Sequence, residues 1–134
     1  MTTSAPRRVE RQAPLALTMG EPAGISGELT LKAWLRREEA PPFFVIDDPE
    51  RLERLTRNLD LPVKLTVINA PDQTSAAFAS ALPVLACRLA AESIPGAPDL
   101  ENSPAVRASI ETAVASAMSG QAMAVVTNPV HKKT

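Results

Sequence analysis

Two short stretches hold most of the residues whose types and spacing suggest chemistry. The first, Gly20-Glu21-Pro22-Ala23-Gly24-Ile25-Ser26-Gly27, spaces its glycines as G-x-x-x-G-x-x-G between an apolar run and a helical pattern. Glycine lets a ligand approach the backbone and tolerates positive φ. A helix N-terminus offers unpaired N–H groups and the positive end of its dipole to a phosphate or carboxylate. The spacing is not the G-x-G-x-x-G fingerprint, and no Gly-Lys-Ser/Thr follows as it would in a P-loop. Glu21 would repel an anion unless it turns away or binds a hydroxyl, an amine or a metal. These residues fit either a ligand-binding loop or a tight structural turn. The second stretch runs Thr127-Asn128-Pro129-Val130-His131-Lys132-Lys133-Thr134, directly after the apolar residues 123–126. Thr127 and Asn128 offer hydrogen-bonding groups at a strand end. His131, the single histidine of the chain, reads either as part of a solvated basic tail or as part of a loop.

Elements that position these stretches can be read from the hydrophobic pattern. Residues 14–19, 42–47, 63–68, 82–87 and 122–126 read as strands. From Ile25 the pattern turns helical, with Ile25, Leu29 and Ala33 on one face beside Trp34 and Leu35. Glu28, Lys32 and Arg36 repeat at helical spacing elsewhere on the same helix. Asp48 followed by Pro49 predicts a capped helix start, with Leu52, Leu55 and Leu59 as its apolar stripe. Ser103 and Pro104 predict another, with Val106, Ile110, Val114 and Ala117 buried and Gly120 closing it. Residues 92–103 are rich in turn formers and read as a surface loop. Strands alternating with helices, some of them continuously apolar, predict an α/β fold: a mostly parallel sheet with helices on both faces. Both chemistry-bearing stretches then lie beyond the C-terminal ends of strands, where such sheets bind ligands. Asp47, at the end of the second strand, could bind a ribose, but capping the following helix is reason enough for one of Asp47 and Asp48.

Composition narrows the function. The chain has 134 residues, 45% of them apolar, which suits one ordinary domain and excludes disorder throughout. A net charge of −1 with interspersed signs lacks a nucleic-acid footprint, and 3% aromatics leave little for base stacking. Cys87 is the single cysteine, so no intrachain disulfide forms, as suits a reducing compartment. It reads as a small apolar filler, and Trp34 as helix packing. No apolar run reaches the roughly 18 residues a membrane span needs. Residues 1–13 lack a signal-peptide core and are expected to form a disordered leader, with residues 14–134 as the folded portion and a cytoplasmic location.

The stretch Leu17-Thr18-Met19-Gly20-Glu21-Pro22-Ala23-Gly24-Ile25 resembles the opening of the 4-hydroxythreonine-4-phosphate dehydrogenase (PdxA) family. That family begins with a strand, then Gly-Asp/Glu-Pro-Ala-Gly-Ile-Gly, then a helix. Ser26 departs from it, standing where the family usually has glycine. A serine there could still cap the helix, but it adds a Cβ where backbone approach matters. Thr127, Pro129 and Lys132 resemble the family's Thr-x-Pro-x-x-Lys loop. Two motifs in the right order are more specific than either alone, and the resemblance extends over the chain after the leader.

The resemblance implies an isocitrate/isopropylmalate-dehydrogenase-like fold, with two α/β domains around a cleft. It implies NAD(P)-dependent oxidation of the secondary alcohol of 4-phosphooxy-L-threonine, giving a β-keto acid that decarboxylates to 3-amino-2-oxopropyl phosphate, in pyridoxal 5'-phosphate synthesis. It also implies a homodimer, and a divalent metal (Zn, Mg or Co) held by histidines of both subunits. Gly20, Glu21, Pro22, Gly24, Thr127, Asn128 and Lys132 become the substrate- and phosphate-loop candidates. Lys132 is either a charge partner for the substrate or a structural loop lysine. The family's Gly-His-Thr-Glu motif, metal histidines and nicotinamide site have no counterpart here. The expectation is therefore an N-terminal fragment, inactive alone, that binds neither NAD(P) nor metal stably and holds no catalytic or metal-ligating residue. A 4-phospho-D-threonate or 4-phospho-D-erythronate dehydrogenase fragment, a non-catalytic phosphate-binding module and a vestigial, partner-dependent chain are the alternatives. No nucleic-acid or membrane partner is expected.

Overall fold

A computed structural model describes residues 13–94 and 96–129. The expected leader, apart from its last residue, lies outside the described residues, as do His131 and Lys132. The chain runs β1 (Leu15–Thr18), α1 (Ser26–Leu35), β2 (Phe43–Asp47), α2 (Pro49–Leu59), β3 (Leu65–Ile68), a short α3 (Thr74–Ala77), β4 (Leu82–Ala86), α4 (Ser103–Met118) and β5 (Ala124–Val126). The five strands form one sheet in the order β3-β4-β2-β1-β5, and every pairing is parallel. Strand β2, Phe-Phe-Val-Ile-Asp, is buried along its whole length, as a continuously apolar central strand should be.

Each face of the sheet has its own core. Leu17, Val45, Leu82 and Val84 pack with Leu31 and Trp34 of α1 and Leu52 of α2. Ala16, Phe44 and Ile46 point the other way and meet Ala113 of α4. Trp34 is buried and donates its indole N–H to the Phe78 carbonyl at 2.9 Å. The guanidinium of Arg37 stacks 3.8 Å over its ring.

Asp48 caps α2 as the sequence predicts. Its Oδ1 accepts from the Glu50 amide at 2.9 Å, and Pro49 takes the first helical position. Gly120, at φ +85, follows the last residues of α4. Three helical details differ from the sequence reading. The start of α4 lies one residue away: Asn102 holds the cap position, Ser103 is already helical, and no side chain caps the helix. The inward residues of α2 are Arg51, Leu52 and Thr56, while Leu59 in its last turn is exposed.

The third difference is the larger one. Helices α1 and α4 turn other faces to the sheet than the apolar stripes read from the sequence. On α1 the buried residues are Ser26, Gly27, Thr30, Leu31 and Trp34, whereas Ile25, Leu29 and Ala33 face outward. On α4 they are Ala105, Ser109, Ala113 and Ser116. Val114 is exposed, and Val106, Ile110 and Ala117 are only half-buried. Close approach explains the rotation. The Ser109 hydroxyl donates to the Ile46 carbonyl at 2.8 Å and accepts from the Met19 amide at 3.0 Å. Larger side chains at these positions would hold the helix off the sheet.

Candidate functional site

Strand order changes direction at β1: β2 lies on one side and β5 on the other. Such a switch point opens a crevice beyond the strand ends. The loops after β1 and β5 are the two stretches that the sequence singles out, and they are in direct contact.

Asn128 makes most of that contact. Its backbone amide donates to Thr18 Oγ1 at 3.1 Å, and its Nδ2 donates to the Thr18 carbonyl at 2.7 Å and to Thr30 Oγ1 at 3.0 Å. One buried side chain thus ties the end of β5 to the end of β1 and to α1. The Glu21 amide donates to the Pro129 carbonyl at 2.8 Å, closing the loop contact from the other side. Asn128→Ala is expected to lower stability by about 1–3 kcal/mol, because it leaves the Thr18 carbonyl and Thr30 hydroxyl buried without this donor. Urea unfolding of the 134-residue chain checks this; an unchanged midpoint would contradict the role assigned to Asn128.

The glycine turn is built from within. The Glu21 carbonyl accepts from the Gly24 amide and the Ser26 hydroxyl, both at 3.0 Å, and Glu21 Oε2 accepts from the Ala23 amide at 3.1 Å. The amides of Glu21, Ala23 and Gly24 are therefore all engaged inside the chain. Ser26 does not cap α1; Ile25 holds the cap position without a side-chain bond, and the Ser26 hydroxyl serves the turn beneath it. Gly20 adopts φ +69 in the crowded corner between the two loops. Gly27 lets α2 approach, since a Cβ there would run into Leu55 Cδ1 and lie 3.0 Å from Arg51 Nη2. Gly24 is exposed and meets nothing closer than 3.5 Å.

Beneath the turn sits a buried ion pair that the sequence reading misses. Arg51 and Asp47 are 2% and 0% exposed, with Nη1 to Oδ2 at 2.6 Å. Arg51 Nη2 also donates to Ser26 Oγ at 3.2 Å, and Nε donates to the Pro22 carbonyl at 3.4 Å. Asp47 Oδ1 accepts from the Asp48 amide at 2.6 Å. Full burial pushes the Asp47 carboxyl up to about 6 although the Arg51 guanidinium opposes the shift. With its oxygens engaged in this way, Asp47 is not presented to a ribose. The one sequence signal for the pair is a basic residue inside the first turn of a helix preceded by two acids.

Thr127 and Pro129 are exposed on the solvent side of the joined loops, and Glu21 is half-exposed. Among the described residues the Thr127 hydroxyl makes no hydrogen bond. The structure therefore brings Gly20, Glu21, Pro22, Thr127 and Asn128 together, sets Gly24 on the outer side of the turn, and leaves Lys132 outside the described residues. Cys87 is half-buried, with burial first and the Asp47 and Asp48 charges next raising its thiol pKa, which disfavours a nucleophilic thiolate. No group of three or more His, Cys, Asp or Glu side chains among the described residues could hold a metal ion, so these residues do not by themselves fit a divalent centre. No helix among them is long and apolar enough to cross a membrane.

Comparison with known proteins agrees with the family resemblance and the fold. The profile of the family described as pyridoxal phosphate biosynthetic protein PdxA matches residues 38–134. A 4-hydroxythreonine-4-phosphate dehydrogenase of Xanthobacter autotrophicus is 44% identical over 122 residues, covering 90% of this chain and 35% of the relative. One of Methylorubrum populi is 47% identical over 123 residues, covering 89% of this chain and 35% of the relative. A crystal structure of a 4-hydroxythreonine-4-phosphate dehydrogenase from Burkholderia phymatum superimposes with a TM-score of 0.79 at 25% identity, over 91% of this chain and 38% of that one. The chain spans little more than a third of the length of the relatives it matches.

Proposed function

The chain belongs to the PdxA family of pyridoxal phosphate biosynthetic proteins, and from that premise we propose that it forms one portion of a 4-hydroxythreonine-4-phosphate dehydrogenase. The carrying observation is the hydrogen-bonded junction of the Gly20 and Thr127 loops at the strand switch point. In this reading residues 14–134 are the N-terminal portion of a two-domain, cytoplasmic, homodimeric enzyme. Its substrate is 4-phosphooxy-L-threonine, whose secondary alcohol is oxidised with NAD(P) and a divalent metal.

Within that portion the residues divide by role. Thr127 offers its hydroxyl to the substrate, and Lys132 supplies charge for the phosphate. Gly20, Glu21, Pro22 and Asn128 hold the floor of the site, and Gly24 keeps the outer side of the turn open. The hydride acceptor and the metal fall to residues beyond this portion, so the isolated chain is expected to be inactive.

A chimera tests the reading. Residues 14–134 replace the matched segment of the Xanthobacter enzyme, and NAD reduction is followed with 4-phosphooxy-L-threonine and a divalent metal. The chimera should turn over, and Thr127→Val within it should lower kcat/KM about tenfold, the worth of one hydrogen bond of roughly 1.4 kcal/mol. A folded chimera without turnover sinks the proposal, and so does clear turnover by the 134-residue chain alone.

A further inference from the structure

Arg51 is a charged side chain with almost no exposure, and its hydrogen bonds all go to the end of the sheet and the turn above it. Its anchor is Asp47. Strand β2 pairs with β1 so that Ile46 stands opposite Thr18, and Asp47 therefore lies where β1 runs into the glycine turn. From there the guanidinium reaches both limbs of the turn. Nε donates to the Pro22 carbonyl at 3.4 Å, the longest of its bonds, and Nη2 donates to the Ser26 hydroxyl at 3.2 Å. That hydroxyl donates onward to the Glu21 carbonyl at 3.0 Å, so Arg51 is linked through Ser26 to the residue that organises the turn.

The backbone makes room for this contact. A Cβ at Gly27 would stand 3.0 Å from Arg51 Nη2 and 3.3 Å from its Cζ. Two backbone bonds also reach the turn from other segments: the Pro129 carbonyl accepts from the Glu21 amide, and the Gly96 amide donates to the Ala23 carbonyl, both at 2.8 Å. Among the described residues, Arg51 is the only side chain from outside the turn that bonds to it.

Stability alone does not account for a buried charge at this place. Apolar residues of similar volume often replace a buried ion pair with no loss, because the desolvation of two charges goes with it. An apolar pair cannot supply a planar fork of donors with fixed directions. Here one arm of the fork holds Asp47 and two hold the turn. Asp47 is itself fixed by the Asp48 amide at 2.6 Å, which gives the fork a rigid base.

We propose that Arg51 is a positioning residue for the substrate loop. Anchored on Asp47, it holds Pro22 and Ser26 at a fixed height above the end of β2 and so orders the floor of the site before substrate arrives. It acts through Ser26 and the Pro22 carbonyl. A floor that is already ordered need not be ordered by the substrate, so the clamp acts on binding. The clamp stands on geometry, and its effect on turnover rests on the proposed dehydrogenase activity.

Two variants separate positioning from stability. Asp47→Asn combined with Arg51→Met removes both charges and the fork, whereas Arg51→Lys keeps a charge beside Asp47 without the fork. The Ala23 and Gly24 amides report on the turn, since they bond to the Glu21 carboxylate and carbonyl. In the 134-residue chain their hydrogen exchange should rise about tenfold relative to that of β2 in both variants. In the chimera both variants should raise KM for 4-phosphooxy-L-threonine about tenfold and leave kcat within about twofold. Unchanged exchange at Ala23 and Gly24 relative to β2 overturns the proposal, and so does a wild-type KM in a folded variant of an active chimera. Should the double variant not fold, Arg51→Lys decides alone. An Arg51→Lys chain that does not fold makes Arg51 a stability element and also overturns the proposal. Should the unsubstituted chimera fail to turn over, the enzymatic reading falls, and exchange at Ala23 and Gly24 decides the clamp by itself.

Discussion

Gly20→Ala should destabilise the chain by about 3 kcal/mol, combining the cost of a left-handed backbone for a residue with a Cβ and the cost of overpacking. The new Cβ would lie 2.6 Å from the Pro129 carbonyl oxygen, 2.7 Å from Asn128 Cβ and 2.8 Å from Ser26 Cβ, at φ +69. None of these neighbours yields cheaply. The Pro129 carbonyl is the acceptor for Glu21, Asn128 is held by its bonds to Thr18 and Thr30, and Ser26 is bonded to Glu21 and Arg51. The methyl group must therefore separate the two loops. The urea midpoint should fall, and exchange at the Glu21 amide should rise more than exchange in β2. A midpoint equal to wild type would show that the loops are not joined as described. In the chimera the same substitution should reduce kcat/KM more than Thr127→Val does, because it displaces the whole loop.

Arg51→Ala is expected to cost about 3–5 kcal/mol, the usual penalty for leaving one partner of a buried ion pair uncompensated. It strands the Asp47 carboxylate and removes donors from the Pro22 carbonyl and Ser26 hydroxyl. Arg51→Lys should recover only part of the loss, since an ammonium cannot reach all three acceptors in the same fork. Asp47→Asn combined with Arg51→Met should be far less damaging than the sum of the single changes, because the stranded charges go together. A double variant as unstable as that sum would contradict this account.

The same pair gives a pH signature. The Asp47 carboxyl is raised from its ordinary 3.8 to about 6, so between those values the folded chain binds the proton more tightly than the unfolded chain. Its contribution to stability is fully present below about pH 4 and is lost as pH rises through about 6. Wild type should lose stability relative to Asp47→Asn over that interval, by up to about 3 kcal/mol for a shift of two pKa units. In Arg51→Ala the loss should extend to higher pH, because the charge that opposed the shift is gone. Paired urea titrations across pH 4–8 read the difference directly.

Much of the architecture is legible in the sequence because it depends on local signals. Continuous apolar runs mark β1 and β2, and Asp48-Pro49 marks the start of α2. The phase of α1 and α4 is not legible, since the rule that large apolar residues face the core fails where a helix must come close to a sheet. There Ser109, Ala113, Gly27 and Thr30 take the inner positions. The buried Arg51 is hidden for a related reason: a charged residue at a helical position reads as exposed until Asp47 is seen beneath it.

The candidate site divides in the same way. By itself the sequence determined the two loop motifs, their order, the alternation of strands and helices, and the family to which they point. All of these reside in residue type and short-range spacing. Only the tertiary structure decided that β5 lies against β1, so that Asn128 reaches Thr18 and Thr30 and the two loops are joined. It also decided that Gly20 serves a close junction and that Leu29 and Val126 face outward. The reason is physical: strand adjacency and helix rotation are set by which surfaces can approach most closely across the whole sheet, and no local run of residues encodes that distance.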